Sequence, residues 1–200
     1  HPLWTTGRLA LWPNVFCLGD HFEWRVPIDD ENTLSVTWAF NRVPTERDPY
    51  VQEHVPTWRA PVKDEATGRW ITSHVMNQDF VAWVGQGTVA DRTQENLGSS
   101  DRGIAMMRRQ FFDDLDAIAQ GRDPKGIVRD AAKNACIDLP IANKHFFTSG
   151  LSREKLKAHP VLSKHLRHYA FQYGQPDEVR DAFREAMGIT VDANDNLVDF

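Results

Sequence analysis

HFEWRVPIDDENTLSVTWAF, residues 21–40, contains two runs in which apolar side chains alternate with polar ones. In both runs the apolar side chains hold the even positions, from Phe22 to Ile28 and from Leu34 to Phe40. Alternation of this kind, with β-branched and aromatic residues, is typical of half-buried strands. The turn-forming residues DDEN, 29–32, lie between the two runs, and the whole stretch therefore predicts an antiparallel hairpin.

The segments around this hairpin predict an α+β domain, because strands are followed by helices. NVFCLG, residues 14–19, is interpreted as a third strand, and residues 44–72 as a long irregular connection. Capping residues predict three helices. The first covers residues 77–86, with Asn77 as its N-cap and Gly85 and Gly87 at its end. The second covers residues 98–121, with Ser99 or Ser100 as its N-cap and Gly121 at its end, and the third covers residues 176–188, with Pro176 at its start and Gly188 at its end. A weaker helical stretch covers residues 151–170, and the tail from residue 191 is expected to be loosely ordered.

The bulk composition is that of an ordinary soluble globular chain, with 200 residues, 41% of them apolar and 26% charged. A net charge of -5 argues against nucleic acid as a partner, because nucleic-acid-binding proteins carry a basic surface. No apolar stretch has the length of a membrane span, and no signal peptide is recognised at the N-terminus. Two cysteines that lie far apart favour a reducing, cytoplasmic setting, with Cys17 as a small core residue.

An acid lies inside an apolar run in NQDFVAWVGQG, residues 77–87, where Asp79 precedes Phe80. Burying a carboxylate is costly unless the carboxylate has a partner. Two interpretations are open. Asp79 could be an acid near a helix N-terminus, satisfied by backbone N–H groups and the helix dipole. It could also be a metal ligand, because a carboxylate and two histidines form the facial triad of non-haem Fe(II) oxygenases.

The sequence around Asp79 resembles the C-terminal catalytic domain of the α subunits of Rieske non-haem iron oxygenases. The most similar group contains phthalate 4,5-dioxygenase, chlorobenzoate dioxygenase and aromatic O-demethylases. The resemblance runs from about residue 10 to about residue 150. Its sharpest parts are QDFVAWVGQG (78–87), ADRTQENLGSSDRGI (90–104) and MMRRQFF (106–112).

The resemblance implies a helix-grip fold, in which an antiparallel sheet curls around C-terminal helices and encloses a pocket. It also implies that Asp79 is the carboxylate ligand of a mononuclear Fe(II). The reaction would hydroxylate or O-demethylate an aromatic, often carboxylated, substrate with O2. Electrons would pass from NAD(P)H through a partner reductase or ferredoxin and a [2Fe–2S] Rieske cluster. The complete protein would be a homo-oligomer of the trimer type, with no nucleic-acid or membrane partner.

Two parts of this machinery are not found in the sequence of residues 1–200. Neither Cys17 nor Cys136 lies in the C-x-H and C-x-x-H motifs that hold a Rieske cluster. No H-x-x-x-x-H stretch, which would carry the two iron-binding histidines, precedes Asp79. Both parts are expected upstream of residue 1. The chain is therefore interpreted as the C-terminal part of the catalytic domain, inactive as an isolated fragment.

Other side chains are assigned more ordinary roles. A substrate pocket beside iron needs apolar walls, and Trp70, Met76 and Trp83 are predicted to form them. Three histidines, His159, His165 and His168, are interpreted as solvated helix residues, and His145 as a packing or hydrogen-bonding residue. Loop hydrogen bonding and capping are the preferred roles of the charged residues after residue 90, and the resemblance implies that they form ion pairs that define the fold: Asp91, Arg92, Glu95, Asp101 and Arg102. The alternative function is a metal-free helix-grip domain that binds a small apolar ligand, because a fold alone does not determine function.

Overall fold

A computed structural model describes residues 8–17, 21–40, 43–44, 47, 49–139, 158, 175–194 and 197–199. Its strands are β1 (Leu9–Leu11), β2 (Val15–Cys17), β3 (His21–Pro27), β4 (Thr33–Ala39), β5 (Thr190–Val191) and β6 (Leu197–Asp199). Its helices are α1 (Val75–Val84), α2 (Arg102–Ala119), α3 (Ala131–Asn134) and α4 (Asp177–Met187), with 3₁₀ turns at Arg92–Gln94 and Ser99–Asp101. The mixture of helices and antiparallel strands confirms the predicted α+β class.

The chain divides into two compact units. The first contains residues 1–40 and 89–145, and the second contains residues 41–88 and 146–200. Among the described residues, the buried apolar side chains are Cys17, Met76 and Ala117. The prediction that Cys17 is a core residue is therefore confirmed.

The first unit is built on an antiparallel sheet with the strand order β1-β2-β3-β4. The predicted hairpin is confirmed, since β3 and β4 pair with Phe22 opposite Trp38. Asp29 closes the turn between them, because its Oδ1 accepts the backbone N–H of Asn32 at 2.7 Å. The third predicted strand is present as β2, and the short β1 pairs with its other edge.

The two faces of the β3–β4 hairpin differ in character and in exposure. The apolar side chains face one way, and His21 and Glu23 face the other. Half-buried strands usually cover their apolar face, but in this hairpin the polar face is the more covered one. His21 and Glu23 are only 3% and 6% exposed, whereas Val36 and Trp38 are 42% and 58% exposed. Alternation therefore predicted the strands correctly, but it does not by itself identify the buried face.

The long helix α2 belongs to the first unit and begins through a 3₁₀ turn. The Asp101 carboxylate accepts the backbone N–H of Gly98 at 2.8 Å. Gly98 holds the N-cap position of the 3₁₀ turn and Asp101 that of α2, so the predicted cap by Ser99 or Ser100 is wrong. The predicted end is confirmed by Gly121, which adopts the left-handed conformation with a φ of 69°.

The second unit contains α1, α4 and a small two-stranded sheet. Helix α4 confirms its prediction, because Pro176 precedes it and Gly188 ends it with a φ of 69°. The expectation of a loosely ordered tail is wrong, since β5 pairs antiparallel with β6. The stretch 151–170, apart from residue 158, lies outside the described residues together with His145, His159, His165 and His168.

Candidate functional site

Helix α1, which carries Asp79, is attached to the preceding loop along one side. His74 and not Asn77 occupies its N-cap position, so the predicted cap is wrong. Asn77 is instead 1% exposed, and its Nδ2 donates to the Pro61 carbonyl at 2.9 Å. The buried His74 meets the Trp58 ring edge to face, with the ring centroids 5.1 Å apart. These contacts determine which side of α1 remains open.

Asp79 lies on that open side, two residues beyond Asn77 and therefore about 200° around the helix. Its side chain is exposed, so the cost of burying a carboxylate does not apply to it. The first turn of α1 contains no acid, and Asp79 lies beyond the backbone N–H groups that a carboxylate could cap. Within the described part of the chain, no hydrogen bond or ion pair holds it. The capping interpretation therefore does not describe Asp79, and its oxygens are available to a ligand.

The three predicted pocket residues have different surroundings. Trp70 is 38% exposed, and the Lys63 ammonium lies 4.2 Å from its ring centroid. Trp83 is 45% exposed and follows Asp79 by one helical turn. Met76 is only 7% exposed. Helix α1 therefore brings Asp79 and Trp83 to its open side and buries Met76, and a pocket shared by these residues stays a prediction.

A row of polar side chains on β3, in which His21 and Glu23 are buried and Arg25 is half-buried, was not predicted from the sequence. The Nε2 atom of His21 lies 3.0 Å from Oε1 of Glu23, and Arg25 donates to Oε2 of Glu23 at 2.5 Å. The hydrogen bond with His21, followed by the charge of Arg25, holds the pKa of Glu23 below its usual value despite burial. Arg25 also donates to the Ser35 hydroxyl at 2.8 Å. The sequence pattern that could have revealed this row is the placement of His21, Glu23 and Arg25 at alternate positions, which puts their side chains on one face of the strand.

The charges that follow α1 act partly as ion pairs and partly as caps. Glu95 accepts from Nη2 of Arg108 at 2.8 Å and lies 3.4 Å from Nη1 of Arg92. The hydrogen bond from Arg108 lowers the pKa of Glu95. Asp91 accepts the backbone N–H of Thr93 at 2.9 Å, which makes it a cap. The predicted capping role is therefore confirmed for Asp91, and the ion pairing that the resemblance implies is confirmed for Arg92 and Glu95.

A complete metal site is not formed by the described residues, which contain no group of three or more His, Cys, Asp or Glu side chains able to hold an ion. The His21–Glu23 pair is poorly suited to bind a metal ion, because Arg25 already neutralises the Glu23 carboxylate. Asp79 fits the chemistry of a single carboxylate ligand, since its oxygens are exposed. Further ligands would come from outside the described part of the chain. No helix in that part has the length and apolar character needed to cross a membrane.

Comparison with known proteins identifies relatives of the chain. The model of the family described as "LigXa C-terminal domain like" matches residues 23–139. The chain is 56% identical over 199 residues to the 5,5'-dehydrodivanillate O-demethylase oxygenase subunit of Sphingobium sp. (strain NBRC 103272 / SYK-6), covering 100% of this chain and 46% of the relative. No solved structure shows a significant match.

Two more distant relatives have similar descriptions. Phenoxybenzoate dioxygenase subunit alpha of Ectopseudomonas oleovorans is 29% identical over 127 residues, which are 59% of this chain and 29% of the relative. The phthalate 4,5-dioxygenase oxygenase subunit of Pseudomonas putida is 42% identical over 50 residues, which are 25% of this chain and 11% of the relative. The chain thus spans less than half the length of the curated relatives it matches. The predicted resemblance to oxygenase subunits is confirmed.

Proposed function

The chain belongs to the LigXa C-terminal domain-like family, and on this premise we propose that residues 1–200 form the C-terminal part of the catalytic domain of a Rieske-type aromatic oxygenase subunit. The finer fold in this proposal is the helix-grip domain, to which the antiparallel sheet and the long helix α2 contribute. The Rieske cluster and the two iron-binding histidines belong to residues outside this chain.

The observation that carries the proposal is the position of Asp79. Its carboxylate is exposed on α1, within the residues that the family model matches, and has no partner among the described residues. The opposite side of α1 is held by the buried Asn77 and by its hydrogen bond to Pro61. A ligand group must be held in a defined orientation by its supporting contacts. In this proposal Asn77 and Pro61 orient α1, and Asp79 supplies one of the three protein ligands of a mononuclear Fe(II).

The bound iron would supply the chemistry with O2, and the protein would supply ligands, orientation and a place for the substrate. The electrons would come from NAD(P)H through a reductase or ferredoxin and the Rieske cluster. Trp83 and Trp70 offer exposed apolar surface, which is suited to an aromatic substrate. Because the relative with 56% identity is named as an O-demethylase subunit, aromatic O-demethylation is favoured over ring hydroxylation. The complete protein is proposed to act in the cytoplasm as a homo-oligomer.

Asp79→Ala in the complete subunit tests this function. We expect the variant to lose its mononuclear iron and its turnover while it keeps the visible absorbance of the Rieske cluster. Asp116→Ala is the matched control, because Asp116 is another exposed helical carboxylate with no partner among the described residues. Iron content and turnover equal to those of the wild type in Asp79→Ala would show that the metal site lies elsewhere.

Metal analysis separates the enzyme from the alternative of a metal-free binding domain. The complete wild-type subunit is expected to retain mononuclear iron after dialysis in addition to the iron of its cluster. The isolated 200-residue chain, which offers Asp79 as its single proposed ligand, is expected to retain none in stoichiometric amount. A complete subunit that binds an apolar ligand but no mononuclear iron would favour the metal-free alternative.

A further inference from the structure

A short hairpin, residues 62–71, lies just before α1 and brings a lysine and a tryptophan together. Lys63 and Trp70 face each other in an antiparallel bridge, with backbone hydrogen bonds of 2.8 and 2.9 Å on either side of the pair. Residues in such a pair do not hydrogen-bond each other, and their side chains lie close together on one face. The Nζ atom of Lys63 is 4.2 Å from the ring centroid of Trp70. One face of the hairpin therefore presents a cation and an indole side by side.

The charge of Lys63 is available to an anion. Lys63 is exposed, and among the residues that the structure describes no carboxylate pairs with it. The neighbouring Asp64 does not neutralise it, because Oδ1 of Asp64 accepts the N–H and the hydroxyl of Thr67, both at 2.7 Å. Successive side chains of a strand also point to opposite faces. The attraction between the ammonium and the indole ring holds the cation in a defined place.

The indole of Trp70 keeps surface for a second group beside the cation. Trp70 is 38% exposed although Lys63 lies over its ring. Aromatic rings pack against one another in offset or edge-to-face arrangements, which need only part of the indole surface. A ring that carries a carboxylate can therefore contact Trp70 through its apolar part and Lys63 through its charge.

Both ends of the hairpin are attached to the helix that carries Asp79. At the first end, Nδ2 of Asn77 donates to the Pro61 carbonyl at 2.9 Å. At the second end, Nε2 of Gln78 donates to the Thr72 carbonyl at 3.0 Å. Gln78 directly precedes Asp79 in α1. These two amides hold the hairpin against the first half of α1, so its cation and indole have a fixed position relative to the proposed metal ligand.

We propose that Lys63 and Trp70 form a subsite that binds the carboxylate end of an aromatic carboxylate substrate. The ammonium of Lys63 binds the carboxylate, and the indole of Trp70 packs against the ring. This inference rests on the proposed function, in which an aromatic substrate lies near Asp79. The substrate carboxylate is attracted by Lys63 and repelled by the carboxylate of Asp79. The opposite end of the ring, with its reacting group, is therefore directed towards α1.

Calorimetric titration of the complete subunit, without O2 or reductant, tests this subsite. The probes are the isomers of methoxybenzoate and the corresponding methoxybenzamides, which have the same shape but no charge. The wild type is expected to bind at least one methoxybenzoate about tenfold more tightly than its amide, because a charged hydrogen bond is lost in the amide. Lys63→Met, which keeps the length of the side chain without its charge, is expected to lose this preference. Lys63→Arg is expected to keep it.

Two further variants separate this subsite from a general effect of charge. Arg69→Met removes a positive charge from the same hairpin, but Arg69 is exposed and adjoins Trp70, so it faces the other way. It is expected to keep the preference for the carboxylate. Trp70→Leu is expected to weaken the binding of acid and amide by similar factors. The proposal is overturned if the wild type binds no methoxybenzoate or shows no preference, if Lys63→Met keeps the preference, or if Arg69→Met loses it equally.

This outcome is separable from that of the proposed function, because the titration measures neither iron content nor turnover. If Asp79→Ala keeps its iron while Lys63→Met loses the preference for the carboxylate, the metal site is refuted and the subsite is supported. If Asp79→Ala loses its iron while Lys63→Met binds acid and amide as the wild type does, the metal site is supported and the subsite is refuted.

Discussion

Trp12 and Asp114 lie 102 positions apart in the sequence, and the indole Nε1–H of Trp12 donates to Oδ2 of Asp114 at 2.5 Å. The other oxygen of the carboxylate accepts from Nε2 of Gln110 at 2.9 Å and from the backbone N–H of Lys125 at 3.0 Å. The N–H of Lys125, followed by the Trp12 and Gln110 donors, lowers the pKa of Asp114. One buried side chain therefore joins the turn after β1, the helix α2 and the loop that follows α2.

Removing this carboxylate is expected to weaken the first unit. Asp114→Ala leaves the Trp12 and Lys125 N–H groups without their acceptor, and the loss of these part-buried hydrogen bonds destabilises the fold. We expect the midpoint of thermal unfolding to fall by several degrees. Asp113→Ala is the control, because Asp113 forms an exposed pair with Arg109 that contributes only about 0.3–0.5 kcal/mol. Similar midpoints for the two variants would contradict the linking role of Asp114.

Glu23 is expected to make the stability of the protein depend on pH. Its usual pKa is 4.5, and the folded value is lower because His21 and Arg25 stabilise the charged form. A lowered pKa means that the contribution of Glu23 is fully present above pH 4.5 and is lost as the pH falls through the folded value. The free energy of unfolding of the wild type should therefore decrease on acidification through this window.

Glu23→Gln measures that contribution. The variant removes the charge opposite Arg25 and is expected to be less stable at neutral pH by about 1–3 kcal/mol. It should also show a shallower loss of stability in acid than the wild type. Urea denaturation at a series of pH values gives both quantities. If the two proteins lost stability in parallel as the pH fell, Glu23 would not be the group responsible.

Local signals predicted the elements of this fold well. Pro176 and Gly188 delimit α4 within a residue of their predicted positions, because capping preferences depend on neighbouring residues alone. The alternation of apolar side chains likewise predicted β3 and β4. The predicted start of α1, residue 77, lies two residues after its actual start at Val75. Asn77, a good N-cap residue, is used instead to hold the loop through Pro61.

Burial was predicted less well, because it depends on what covers each face. Glu23 can be buried beside His21 because His21 and Arg25 both bind its carboxylate, which alternation alone does not reveal. The spacing of Asp79 and Trp83 placed both on one side of a helix, but it did not show that this side is open. Contacts such as Trp12 to Asp114 join residues too distant in sequence for any local pattern to predict.

Two glycines, one in the first turn of α2 and one just beyond its end, are expected to respond to alanine in opposite ways. Gly103 lies in the first turn of the helix, and a Cβ atom there would meet no other atom within 4 Å. Gly103→Ala should stabilise the protein by about 0.5–1 kcal/mol, because it restricts the unfolded chain and suits the helix. Gly121 also has open space around it, but its φ of 69° is unfavourable for alanine. Gly121→Ala should therefore destabilise the protein by about 1–2 kcal/mol. Chemical denaturation of both variants checks this difference, and a loss of stability in Gly103→Ala would show that another part of the protein packs against that position.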